Sequence, residues 1–407
     1  MNKSKISLAL ASMLLVSSAS FGDDKADIQM LKEEIKQLKE TTQSLIDETS
    51  DLKTGFSYTT VDTKQSHSGL GAAASKIYYS KSPLSIGGYG EMYYANTDSD
   101  DNSADSSETQ VKRLIMYLGY KFSDNIILNT EIEYEGGGVT ADGGGDEVLV
   151  EFMYLDFLIN KNFNVRLGNF LMPVGLINQR HEPTLFTTVQ RPQTSKYLIP
   201  TTWNESGAML YGNITDDIEY KLAGVSALQP DDTAGAKWLR SGRGGSFEVA
   251  NPGFAGVGRI DYTGINGLLV GASLYADSKI TMYDVHLNYE YNGARVYGTY
   301  TQTSRSETTG TQVKDMSGGY INASFDVLSL TSIEKKLPVF IQYETINPQE
   351  TLANGTGFDS VDTTTVGVNF FPHEQVVLKM DYAMANNDLA NTKIDSDTFS
   401  VSLGFIF

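Results

Sequence analysis

The sequence predicts an all-β fold: a sixteen-stranded antiparallel transmembrane β-barrel preceded by a short N-terminal α-helical coiled coil. Three observations carry this expectation. From Ser85 to Phe407 apolar residues alternate with polar ones at period two, with no sustained helical period. This stretch divides into sixteen segments, an even number, mostly of the ~9–11 residues that cross a bilayer when tilted. Many of the connections alternate short and long, the layout of a barrel with tight turns at one end and loops at the other.

The composition agrees. The 407 residues include 50 acidic and 31 basic side chains, a formal charge of −19, which argues against a nucleic-acid binder held by a basic surface. Cysteine is absent, which excludes disulfides, thiolate metal sites, a cysteine nucleophile and a lipoprotein anchor. The chain carries 23 tyrosines against 2 tryptophans, together with 38 glycines, unlike a soluble α/β enzyme.

Residues 1–22 read as a secretory signal peptide. Lys3 and Lys5 precede an apolar stretch from Ile6 to Val16, and Ser18, Ala19, Ser20 and Gly22 form a cleavage zone. The apolar stretch falls short of the ~20 residues that span a bilayer as a helix.

Residues 23–53 repeat apolar side chains at 3-4 spacing: Ile28, Leu31, Ile35, Leu38, Leu45 and Leu52, with Thr42 and Thr49 at the remaining seam positions. This is a coiled-coil pattern, expected in the periplasm; a lone amphipathic helix lying on the barrel is the alternative. So short a helix is marginal alone and needs a partner. Residues 54–84 lack a period, are rich in Ser, Gly and Ala, and are expected to form a linker.

The barrel is expected over 85–407, with strands at 85–97, 109–122, 125–135, 147–158, 163–170, 206–213, 218–228, 255–263, 268–278, 280–292, 294–305, 314–328, 339–347, 360–371, 375–385 and 397–407. The last strand shows the alternation best, with Phe399, Val401, Leu403, Phe405 and Phe407 on one face. Asn292-Gly293 is a hairpin signal. Two connections break the short–long alternation, the short Asp277–Lys279 and the long 329–338. Closure removes sheet edges that lipid could not satisfy.

Signal peptide, coiled coil, sixteen strands and terminal Phe407 together resemble trimeric bacterial outer-membrane porins, above all the phosphate-selective porin O and P family and related porins of the Campylobacter group. The most specific stretch is Arg166-Leu-Gly-Asn-Phe-Leu-Met-Pro-Val-Gly-Leu176, where Gly168, Pro173 and Gly175 match that family's glycine-x-x-x-x-proline-x-glycine turn. The C-terminal strand ending in Phe407 resembles the signal read by barrel-assembly machinery. The resemblance implies a homotrimeric outer-membrane channel, bedded in lipid and lipopolysaccharide, for passive diffusion of small hydrophilic solutes and ions. It does not imply phosphate selectivity, because Asn169 stands where many members carry arginine.

Strand alternation places Arg113, Tyr117, Lys121, Arg166, Lys221, Arg259, Arg295 and Lys379 toward the lumen, with Glu131, Glu133, Glu219, Asp261, Asp284, Glu290, Glu344 and Asp381. Strand 147–158 leaves Glu151 and Asp156 on opposite faces. Cross-strand pairing that stiffens the wall is the other role open to these charges. Segment 171–205 is too long for a hairpin, and the resemblance places it inside the lumen as the constriction. Arg180, His181, Arg191 and Lys196 give it a basic balance against Glu182 and Glu205. A narrow pore focuses the field of a few charges, so small anions or mixed hydrophilic solutes are the expected cargo. Pinning of the loop to Glu131 or Glu133 is the alternative use of its arginines.

No cofactor or metal motif is present. The acidic segment Thr97–Glu108 matches no calcium loop, and the glycine runs 136–138 and 143–145 carry no phosphate-cradle lysine. An outer-membrane barrel enzyme is the main rival class, with His286 beside Asp284, Asn288 and Glu290 as its one constellation. An adhesin or structural barrel is the other, and it would require a plugged lumen.

Overall fold

The computed structural model describes residues 24–59, 61–100, 105–136, 148–245, 248–387 and 395–407, with side chains of the first helix described over 28–46. The signal sequence, the glycine runs apart from Gly136, and part of the acidic segment lie outside the described residues. The chain forms two compact units, residues 1–57 and 58–407.

The first unit is built on helix α1, Asp24–Thr59. Its seam residues Ile28, Leu31, Ile35, Leu38 and Leu45 are each more than half exposed, so the single chain leaves the apolar stripe uncovered. The helix runs past 53, the end its heptads suggest.

The second unit contains helix α2 (Ala72–Tyr79) and sixteen strands. These are β1 (Leu84–Ser99), β2 (Ser106–Ser123), β3 (Ile126–Glu135), β4 (Val148–Asn160), β5 (Phe163–Leu171), β6 (Asn204–Asn213), β7 (Ile218–Val225) and β8 (Ala255–Tyr262). They continue as β9 (Leu268–Ala276), β10 (Ile280–Tyr291), β11 (Ala294–Arg305), β12 (Val313–Asp326), β13 (Pro338–Leu352), β14 (Val361–His373), β15 (Val376–Asn387) and β16 (Ser396–Ile406). Each strand pairs antiparallel with the next, and β1 pairs with β16 to close the barrel. All sixteen expected segments are strands. Asn292 and Gly293 turn the β10–β11 hairpin with φ of 47° and 80°.

Burial runs opposite to that of a soluble sandwich. On β10, Asp284, His286 and Asn288 are buried, while Tyr283, Val285, Leu287 and Tyr289 are exposed. On β2, Leu114, Met116, Leu118 and Tyr120 face outward and Arg113 and Tyr117 inward. Polar residues inside and apolar residues outside suit lipid around an aqueous or protein-filled lumen. No described helix is long and apolar enough to cross a membrane.

Two β-bulges change the inward set. Glu131 pairs with Phe152 and Ile132 with Val150, so Glu151 is an extra residue in β4. The bulge resets strand parity, and both Glu151 and Asp156 are buried, which resolves the faces that strict alternation leaves in conflict. On β2 the pairing skips Lys112 between Val111 and Arg113, so neighbouring cations both reach the interior.

The expected linker is a structured element. Residues 61–83 enter the barrel, and α2 packs against β1, β2 and β3 with Ala72 to Ile77 buried. Three alanines favour the helix, and the Glu182 carboxylate accepts from the N–H groups of Ala73 (2.9 Å) and Ala74 (3.1 Å) at its first turn. A Cβ on Gly119 would lie 2.6 Å from Ile77 Cβ, so glycine there permits the helix to lie on the wall. The segment reads as aperiodic because it is enclosed on several sides and needs no polar face.

Candidate constriction site

The chain between β5 and β6, residues 172–203, folds into the barrel. Its neck is tied by Asn178, whose side chain donates to the carbonyls of Met172 and Trp203 (both 2.9 Å) and accepts from Trp203 N–H (2.8 Å). Gly175 has φ of +71°, a left-handed conformation that costs other residues energy, and its N–H donates to Asp284 (2.9 Å). Further along, Val189 N–H donates to Asp381 (2.6 Å), and Gln193 and Thr194 donate to Glu344 (2.9 and 2.7 Å). Wall cations take the carbonyls: Arg259 binds Gly175 O (2.5 Å), Arg295 Leu185 O (2.9 Å) and Lys379 Thr188 O (3.0 Å). Charged acceptors and donors thus satisfy backbone groups that a buried loop would otherwise leave unpaired.

Several expected pore-lining residues are consequently committed elsewhere. Arg166 makes a bidentate pair with Asp156 (2.8 and 2.8 Å), fully buried under the 61–83 segment. Tyr78 hydroxyl donates to that same Asp156, and His67 stacks on Tyr78 at 3.6 Å between ring centroids. Burial pushes the His67 imidazole down to about 4, so its ring stays neutral in this stack. Lys121 binds Ser80 O (2.5 Å). Arg166 thus braces the wall through Asp156, while Arg259, Lys379 and Lys121 hold backbone carbonyls of the two enclosed segments.

Two neighbouring cavities lie inside the barrel toward the long-loop end. One, of about 80 Å³, is bordered by Lys112, Arg113, Arg191, Lys196 and Arg240, with Glu91 and Glu135. The other, of about 160 Å³, lies between Thr188–Gln193 and the wall of β13 to β16, bordered by Glu344, Asp381 and several threonines and serines. Gln190 and Arg191 border both. Beyond this level the loop meets the wall: Lys379 Nζ sits 3.9 Å above the Phe186 ring and Thr187 bonds Tyr297 and Asn322.

The first cavity holds five cations against two carboxylates. Among the described residues only Arg113 of the five has a carboxylate within 4 Å, Glu133 at 3.3 Å and Glu91 at 3.9 Å. Arg191 donates to Thr201 Oγ1 (2.8 Å) and His181 O (3.3 Å) and is not pinned to Glu131 or Glu133. Lys196, displaced toward its neutral form chiefly by burial and then by Arg240, Lys237 and Arg191, has its pKa lowered to about 8. Arg180 lies half-buried apart from this cavity, with no ion pair among the described residues. Arg191 and Lys196 are thus brought together, Arg180 is not, and His181 turns to the wall. Lys112 and Arg240 escape sequence reasoning, the first because of the bulge and the second because it arrives on the separate loop between β7 and β8.

His286 is held between Asp284 (2.6 Å) and Asp261 (2.9 Å), with Arg259 alongside (2.8 Å). Ser273 binds Asp284 rather than the imidazole. Both ring nitrogens are engaged by wall charges, an arrangement that braces the clamp on Gly175 and presents no activated hydroxyl. Among the described residues the group suited to a metal ion is Glu131, Glu151 and His181, all buried.

No protein-family model matches the chain. It is 34% identical over 375 residues, 84% of each chain, to a protein of Aquifex aeolicus (strain VF5) named only as an uncharacterized protein. Among solved structures it is similar to the outer membrane channel DcaP of Acinetobacter baumannii, at TM-score 0.56 and 11% identity over 80% of this chain and 97% of that one. OmpF of Salmonella typhi, solved in complex with daunomycin, gives 0.56 and 12% over 80% and 97%. In-vitro folded OmpT, an outer membrane protein of Vibrio cholerae, gives 0.52 and 13% over 81% and 99%. At these identities the likeness is one of fold.

Proposed function

Starting from a chain that belongs to one family with the Aquifex aeolicus protein and closes into a sixteen-stranded barrel, we propose an outer-membrane porin that passes small hydrophilic solutes and prefers anions. The observation that carries this reading is the inverted barrel: an apolar exterior, a charged interior, and a long loop clamped inside beside a cavity with more cations than acids. The short turns and both ends of the barrel then lie in the periplasm, with α1 there as a coiled coil joining three copies. The mature chain follows a cleaved signal peptide.

Selectivity follows from electrostatics. Arg191, Lys196, Lys112 and Arg240 have no carboxylate partner within 4 Å among the described residues, so their field acts on whatever enters the cavity. Wall charges that grip the loop are internally compensated and contribute less. A second reading, a structural barrel without transport, draws on one observation, the occupation of the lumen by residues 61–83. Liposome swelling separates the two. Proteoliposomes should swell in small sugars and faster in a carboxylate anion of similar size. Correctly folded protein that supports no swelling in either would favour the structural barrel.

A further inference from the structure

We propose that Glu131, Glu151 and His181 bind one divalent metal ion of borderline hardness, with Zn²⁺ as the reference ion, and that this ion fastens the constriction loop to the barrel wall. The three residues come from β3, from the bulge of β4 and from the loop after β5. Each offers a ligand atom within 4.8 Å of the others, and they are 0%, 2% and 3% exposed.

Hydrogen-bond chemistry shows why the group needs a cation. His181 Nδ1 lies 2.7 Å from the carbonyl oxygen of Asn178, which can only accept, so Nδ1 is the donor. Nε2 is then the ring's coordinating nitrogen. It faces Glu131 Oε1 at 3.3 Å and Glu151 Oε2 at 3.8 Å. Glu151 Oε2 and Glu131 Oε2 are buried and have no hydrogen-bond partner. Carboxylate and imidazole lone pairs thus converge in a buried site, with the Glu133 carboxyl next to Glu151, and no N–H or hydroxyl group donates to these two oxygens among the described residues.

The neighbouring cations are used elsewhere. Arg113 reaches Glu133, and the Arg191 nitrogens go to Thr201 and to the His181 carbonyl. A backbone carbonyl on the far ring nitrogen is the support that metal-ligating histidines ordinarily have. One imidazole with two carboxylates suits an ion such as Zn²⁺, whereas Ca²⁺ and Mg²⁺ favour sites made of oxygen alone. Such an ion would bind only the folded chain, because the bulge and the loop must both be in place.

The test is zinc uptake by the full chain, purified in detergent, stripped with chelator and dialysed against Zn²⁺, with metal per chain measured by elemental analysis and thermal unfolding followed alongside. About one zinc per chain should remain, with a raised unfolding temperature, and Glu151→Gln should lose roughly tenfold or more in affinity. His181→Gln should lose as much and leaves the wall strands untouched, so it decides the matter if Glu151→Gln fails to assemble. Glu219→Gln, elsewhere on the interior wall, should keep the zinc. Absence of retained zinc in the wild-type chain, or equal retention in both site variants, overturns the proposal. A proton shared among the three groups would give the first of these results. No channel measurement is involved, so failure here leaves the porin reading standing.

Discussion

Arg191 shows how one side chain can matter more than many. It borders both interior cavities, and its guanidinium is held by a threonine hydroxyl and a carbonyl, neither of which cancels its charge. Arg191→Glu should therefore move the zero-current potential in a salt gradient toward cation preference, and an unchanged potential at unchanged conductance would remove Arg191 from the filter. Lys196 adds a pH dependence whose sign is fixed. Its pKa is lowered to about 8, so its charge is complete well below that pH and lost as pH rises through it. Anion preference should fall between about pH 7 and pH 9, and Lys196→Arg, which stays charged, should flatten that fall. A profile identical in both proteins would show that another group sets it. The sequence made Arg191 and Lys196 visible as cations on a long segment. It could not show that Lys112 joins them, because a bulge shifts parity by one residue and leaves no compositional mark.

At the scale of elements, alternation made every strand legible, since lipid outside and charge inside leave a strong period-two pattern. The enclosed segment 61–83 was illegible for the converse reason. Its side chains meet α2's surroundings, the wall and the constriction loop at once, so no periodic face survives in Gly71-Ala-Ala-Ala-Ser-Lys76. The loop's clamps were equally hidden, because Asp284, Glu344 and Asp381 lie far along the chain from the N–H groups they bind. This element carries its own prediction. Deleting residues 61–79 while keeping 80–83 should raise single-channel conductance, because α2 and its approach occupy interior volume beside β1 to β3. The deletion also uncovers the Arg166–Asp156 pair, which water can then solvate. Unchanged conductance in a folded deletion protein would mean that the solute path runs elsewhere.

For the whole molecule, the helix at 24–59 and the barrel at 84–406 present different apolar surfaces to different surroundings. The barrel's outward Leu114, Val285 and Phe399 belong against lipid or a neighbouring subunit. The α1 seam is exposed in the single chain, and an apolar stripe of that kind is stable only when covered. Removing residues 24–53 should weaken the proposed trimer, seen as a shift to smaller species in native mass spectrometry, while conductance per barrel persists. Loss of the barrel itself would assign α1 a role in folding instead.

The proposed passage is water-filled, narrowed by the barrel's own clamped loop and biased by unpaired cations. Single-channel recording of the unheated protein in a planar bilayer under a KCl gradient tests it most directly. Small ohmic steps are expected, because residues 61–83 and 172–203 both lie inside the barrel, with a zero-current potential on the chloride side. Folded barrels that insert without producing steps, or steps with a potential on the potassium side, would contradict it.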